Sequence, residues 1–221
     1  DGLVDIYENG AAIRTSISRY TAGDIGRVER KGDLIYYKLN GSIVGTSSSR
    51  STGPLHLDVA LWNMGGKIGP CYLVGRTTEG VDLPNPGIQI TQGDADGNIA
   101  LAAFVSGGPT NTWHYKLQSP NPVVLRGKPI TWTSVYGLTN KGIGVQKSIS
   151  TSAWDSGAIS AESSSGDCAV ECVINRSPYL NAGGAYMGAH FMVGLDEVDS
   201  GYGYGDIQYA IHTSSPTPAP T

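Results

Sequence analysis

Charge is scarce in this chain. Asp, Glu, Lys and Arg make up 15% of its 221 residues, and the formal net charge is −4 at pH 7, with no basic cluster. A nucleic-acid backbone or an anionic membrane surface calls for a concentrated positive field, so neither is an expected partner. Phenylalanine is nearly absent, at two residues, and cysteine is limited to three. So small and odd a number of cysteines excludes a disulfide-dense scaffold. No apolar run approaches the ~18 residues that a membrane-spanning helix requires, and no helix-length apolar stripe is found. Asp1 is followed by neither a basic n-region nor an apolar h-region. The expectation is a soluble chain whose secretion signal, if it had one, has been removed.

Turn chemistry is what the sequence does have, with 31 glycines and 12 prolines. Short segments of Val, Ile, Thr and Tyr alternate with punctuation such as Asn9-Gly10, Lys31-Gly32-Asp33 and Asn40-Gly41. Asn-Gly between alternating strands marks a type I′ hairpin, because both central residues need positive φ. The pattern predicts an all-β chain. Strands are expected over 3–8, 25–30, 34–39, 42–46 and 55–62, then over 130–136, 143–149, 168–174, 187–195 and 205–212. The stretch 69–128 has more proline and poorer alternation, and reads as a β-rich insertion or a small module of its own. Residues 214–221, Ser-Ser-Pro-Thr-Pro-Ala-Pro-Thr, read as an extended linker.

The meander Tyr7-Glu8-Asn9-Gly10, Tyr20-Thr21-Ala22-Gly23-Asp24, Arg27-Val28-Glu29-Arg30 and Tyr36-Tyr37-Lys38-Leu39-Asn40-Gly41 is similar to concanavalin A-like sandwich modules of extracellular and adhesin-like proteins. So are Trp132-Thr133, Gly166-Asp167-Cys168 through Cys172, Gly194-Leu195 and Asp206-Ile207-Gln208-Tyr209-Ala210-Ile211, but here these follow the meander instead of preceding it. Joining 129–213 to 1–68 restores the family order. The resemblance implies a jelly-roll β-sandwich, circularly permuted, in which the strand over 205–212 pairs antiparallel with that over 3–8. Residues 98–115 loosely resemble the short immunoglobulin-like repeats of surface adhesins.

Cys168 and Cys172 sit four apart on one expected strand, facing the same side roughly 13 Å apart at ~3.3 Å per residue. A disulfide needs Cα atoms within about 7 Å, which rules out a bond between them. One bridge from Cys71 to either Cys168 or Cys172 is one reading; three small buried side chains are the other.

The loop Ser200-Gly201-Tyr202-Gly203-Tyr204-Gly205 is the leading binding candidate. Glycine admits close backbone approach by a ligand, and flat aromatic rings stack on the apolar faces of sugars. With Trp154 and Tyr186, Tyr202 and Tyr204 would form an aromatic platform; the competing reading packs the tyrosines against the sandwich end. Trp62, Trp113 and Trp132 are expected in the core. Asp94, Asp96 and Asn98 resemble the start of a calcium loop, but the glycine falls one position early and no glutamate follows at the twelfth position; a hairpin turn is the first reading, a calcium ion the second, and no other cofactor is expected. Asn40 and Asn175 begin N-x-S sequons.

Glu197 and Asp199 invite a glycosidase reading, since laminarinase-type enzymes of the same fold use Glu-x-Asp-x-x-Glu, but Tyr202 stands where the second glutamate belongs. His56, His114, His190 and His212 fall in no nucleophile or metal-ligand spacing. The sequence therefore leads to a non-catalytic extracellular structural or adhesive protein, a building block of a matrix, surface layer or fibre cut from a larger precursor, with like subunits or glycans as partners. The alternative is a lectin-like carbohydrate-binding module, and after it a glycoside hydrolase.

Overall fold

The structure is a computed structural model. It describes residues 2–75, 128–142, 144–174, 190–198 and 201–214, with the pairs 87–88, 92–93, 99–100 and 125–126. The strands are, in chain order, β1 (Gly2–Glu8), β2 (Ala11–Tyr20), β3 (Ile25–Lys31), β4 (Leu34–Leu39), β5 (Ser42–Arg50), β6 (Leu55–Leu61), β7 (Lys67–Ile68), β8 (Cys71–Gly75), β9 (Gly87–Ile88) and β10 (Gln92–Gly93). They continue with β11 (Ile99–Ala100), β12 (Leu125–Arg126), β13 (Lys128–Pro129), β14 (Trp132–Tyr136), β15 (Leu138–Asn140), β16 (Val145–Lys147), β17 (Gly157–Ser164), β18 (Cys168–Val173), β19 (Phe191–Asp196) and β20 (Tyr209–Ser214). No helix occurs among the described residues.

Two antiparallel sheets dominate. The larger has seven strands in the order β14-β17-β6-β19-β20-β1-β2. The other runs β13-β8-β18-β3-β4-β5, five full strands flanked by the two-residue β13. Neither closes on itself, and β15-β16-β7 forms a small third sheet. The sheets enclose one core: Val4, Ile6, Leu57, Val59, Leu61, Val193 and Ile211 of the first meet Val28, Ile35, Tyr37, Leu73 and Val170 of the second. This is a sandwich-like, all-β fold.

The hairpins follow from local chemistry. Asn9 and Gly10 have φ of 48° and 74°, and Asn40 and Gly41 have 49° and 82°, as a type I′ turn requires. Between β1 and β20 the register runs from Leu3 opposite Ser214 to Glu8 opposite Tyr209, antiparallel. The pairing expected between the first and last strands is present, although the last one begins at Tyr209 rather than Gly205. A turn at 204–205 and bends at 206 and 208 lie in front of it.

Three strands of five residues or more had no counterpart in the sequence reading. β2 is ten residues long, edges its sheet and is largely exposed, so it shows no apolar alternation. β17, Gly-Ala-Ile-Ser-Ala-Glu-Ser-Ser, is built from small and polar residues. β8 lies inside the stretch set apart from residue 69, yet it pairs with β18 in the six-stranded sheet. Alternation along β18 turns Cys168, Val170 and Cys172 into the core, where Cys71 joins them. All three thiols are free, and in this form they fill space as small apolar side chains.

Candidate functional site

The core-facing residues of β1, β6, β19 and β20 also determine what points away from the core. With Val4 and Ile6 inward, Asp5 and Tyr7 face out; with Leu57, Val59 and Leu61 inward, His56, Asp58 and Ala60 face out. By the same alternation Met192, Gly194 and Asp196 of β19 and Ala210 and His212 of β20 share that outer face. It is not bare. Ala60, Met192, Ala210 and Ile207 form a second buried cluster, and Tyr7, Trp154 and Tyr204 pack over it.

Two loops lay these rings down. The 201–206 loop crosses the start of β17 so closely that a Cβ on Gly157 would lie 2.7 Å from the Tyr202 carbonyl oxygen. Trp154 comes from the loop between β16 and β17, and its carbonyl oxygen would lie 3.3 Å from a Cβ on Gly203. Glycine at both positions permits the approach. The rings then meet: Trp154 is 5.3 Å from Tyr204 and 5.6 Å from Trp62, Tyr204 is 6.3 Å from Tyr7, and Tyr136 stacks on Tyr202 at 4.6 Å with 23° between planes. Tyr202 and Tyr136 are about half exposed, at 46% and 52%.

Three of the four residues expected to form a platform, Trp154, Tyr202 and Tyr204, are thus brought to one region; Tyr186 lies outside the described residues. Trp62, expected in the core, belongs to this cluster instead, because it follows the last strand residue of β6 and is partly exposed. Trp132 is in the core as expected. Trp113, His114, Asp94, Asp96, Asn98, Asn175 and Asp199 lie outside the described residues. Asn40 is exposed in its turn, and its side chain accepts from the Ile25 N–H at 2.8 Å while donating to Asp24 Oδ1 at 2.9 Å.

Polar groups border the rings. His212 Nδ1 is 2.9 Å from Asp5 Oδ2, and Asp5 Oδ1 accepts the Ser16 N–H at 2.6 Å. Burial raises the Asp5 pKa, but the bonds from His212 and Ser16 outweigh it and hold the carboxyl below its ordinary value. The His212 ring contacts Tyr7 at 5.1 Å, Trp154 at 5.5 Å and His190 at 5.8 Å. Burial, reinforced by His212, pushes the His190 pKa down. His212 is 7% exposed, and its buried Nε2 has no hydrogen-bond partner among the described residues.

The sequence also gave no signal for Lys147. Its side chain is fully buried, and Nζ donates to the carbonyls of Leu61, Trp62 and Ala153 at 3.3, 3.0 and 2.6 Å and to Asp155 Oδ1 at 2.6 Å. One ammonium thus ties the backbone of Trp62 to the residue before Trp154. Only a buried cation between two aromatic loops would have marked it, and that is a tertiary property.

At the other end of the face, Asp196 stands opposite His56, and Asp58 opposite Gly194. Burial, with the charge of Asp206 added, pushes the Asp196 pKa up to about 6. Glu197 accepts from Ser51 Oγ at 3.1 Å. Among the described residues no group of three or more His, Cys, Asp or Glu side chains is arranged to hold a metal ion. No family model matches the chain, and neither curated proteins nor solved structures yield a match.

Proposed function

We propose that this chain is a non-catalytic extracellular adhesive module that recognises carbohydrate through the aromatic rings on the outer face of its seven-stranded sheet, on a concanavalin A-like sandwich in permuted order. One observation carries the reading: Trp154, Tyr202 and Tyr204, chosen from sequence as a sugar platform, share one face with Tyr7, Trp62 and Tyr136. Sugars offer flat C–H faces to such rings and hydroxyls to polar groups between them. The permuted order is supported by the side-by-side ends of β1 and β20.

A glycan array followed by calorimetry on the best-retained oligosaccharide tests this. Each ring contributes about 1 kcal/mol, so Trp154→Ala or Tyr204→Ala is expected to weaken binding about 5-fold, and the pair more. Failure to retain any glycan, or an affinity untouched by the double substitution, refutes it.

A second reading, the self-assembling building block, draws on the opposite flank. The edge strands β2 and β5 lie side by side, joined by Arg14 Nη1 to the Val44 carbonyl at 3.4 Å, and expose Ile13 and Ile43. Long unpaired edges with apolar side chains favour edge-to-edge association. Size-exclusion chromatography and electron microscopy of the chain and of Ile43→Lys separate this reading from the first: assembly lost in the variant supports it, and a monomer throughout rejects it.

A further inference from the structure

Two of the three thiols face each other across neighbouring strands. The register of β8 and β18 sets Cys71 directly opposite Cys172. The next pair, Pro70 and Val173, carries the hydrogen bond from Val173 N–H to the Pro70 carbonyl at 3.3 Å. Antiparallel ladders alternate, so Cys71 and Cys172 form a non-hydrogen-bonded pair, with Cα atoms about 4.5 Å apart and side chains on one face. Both belong to the core and have no exposed surface. A disulfide spans Cα separations of about 4.4–6.8 Å, which this pair meets. Cys168 is excluded, because it opposes Gly75, four residues and roughly 13 Å further along the ladder. Gly26 flanks Cys172 on the β3 side, and a Cβ there would lie 3.5 Å from the Cys172 Sγ. The sulfur lies within ordinary contact distance of the β3 side, and a turn about χ1 brings it toward β8.

We propose that Cys71 and Cys172 close a cross-strand disulfide when the chain matures in an oxidising compartment, leaving Cys168 as the free thiol. The step is exchange with a disulfide donor. One cysteine, as thiolate, attacks the donor S–S bond and releases one donor thiolate; the second then attacks the mixed disulfide and releases the other. Two S–H bonds are lost, one S–S bond forms, and the donor leaves as a dithiol carrying both protons. Burial pushes the Cys172 thiol up to about 12, with the Glu171 charge adding, and raises Cys71 as well. Thiolates are thus disfavoured in the closed core, and the exchange belongs to folding. The bridge ties β8, the strand that leads into residues 76–127, to β18 inside the sheet, closing a loop of about 100 residues. The inference rests on the extracellular part of the proposed function and is independent of sugar binding.

The test is a thiol count on the secreted chain, denatured without reductant and alkylated. One modified cysteine, Cys168, is expected, with a linked peptide joining Cys71 to Cys172; cleavage after Glu171 separates Cys172 from Cys168. Reduction is expected to lower Tm by about 5–15 °C, and Cys168→Ala to keep both linkage and shift. A linkage through Cys168, or three modifiable cysteines both after secretion and after refolding in a glutathione redox buffer, overturns the proposal. A bridge that forms in the glutathione buffer but is absent from the secreted chain upholds the pairing and overturns the oxidising compartment.

Discussion

Replacing Asp196 with asparagine should make this protein more stable at neutral pH, although it removes a charge from a polar face. Asp196 is 4% exposed at the end of β19; its Oδ1 accepts the Glu197 N–H at 3.0 Å, and its Oδ2 has no hydrogen-bond partner among the described residues. Burial and the Asp206 charge raise its pKa from 3.8 to about 6. Below about pH 4 the carboxyl is protonated in both folded and unfolded chains and costs nothing. Between about 4 and 6 the unfolded chain ionises first, so the folded state holds the extra proton and stability falls as pH rises. Above about 6 the whole penalty is present, about 3 kcal/mol for a shift of this size. Asparagine keeps the Oδ1 acceptor and the shape, while its buried amide takes back about 1 kcal/mol. The expected gain is therefore about 2 kcal/mol at pH 7.5 and little or nothing near pH 4, with Tm about 4–8 °C higher at the upper pH. Urea unfolding of both proteins at several pH values, followed by tryptophan fluorescence, measures it. A difference independent of pH, or a wild type more stable at pH 7.5, refutes the reasoning.

Other substitutions probe the buried cations and the strand order. Lys147→Met strands the carbonyls of Leu61, Trp62 and Ala153 and should cost about 3 kcal/mol in denaturant titration, with altered tryptophan emission and lost glycan affinity. Arg30, 1% exposed, bonds Ser51 Oγ and the carbonyls of Gly53, Ser164 and Gly166; Arg30→Lys should cost about 2–3 kcal/mol because a single ammonium cannot span them. Deleting residues 2–8 removes β1 from between β20 and β2 together with Val4 and Ile6 from the core, and should abolish cooperative thermal unfolding followed by circular dichroism.

Hairpins were legible wherever two residues determine the geometry. Lys31-Gly32-Asp33 and Asn40-Gly41 join the strands that the pattern assigned to them, and Asn9-Gly10 closes β1 as expected although β2 beyond it was not assigned, because positive φ is a local demand. Strand β6, expected to be half-buried, was legible through its alternation, since its odd residues fill the core between the sheets and its even residues face the other way, where Asp58 and Ala60 are buried as well. β2 was not, because an exposed edge strand has no burial to impress a period on its sequence. β17 was hidden for a different reason: a strand between β14 and β6, beneath a crossing loop, needs small residues more than β-branched ones.

The aromatic site divides in the same way. Tyr202, Tyr204 and Trp154 come from loops, and their clustering with glycine is visible in composition. Tyr7, Trp62 and His212 lie in or at the end of strands, and their placement on the outer face follows from the sheet order β6-β19-β20-β1, which no local window contains. The Asp5–His212 contact spans 207 positions of sequence. It forms when the first and last described strands pair, so the polar border of the site and the closure of the sheet are one event. An aromatic loop alone can gather rings, but the hydrogen-bonding edge beside them exists only in the folded sheet.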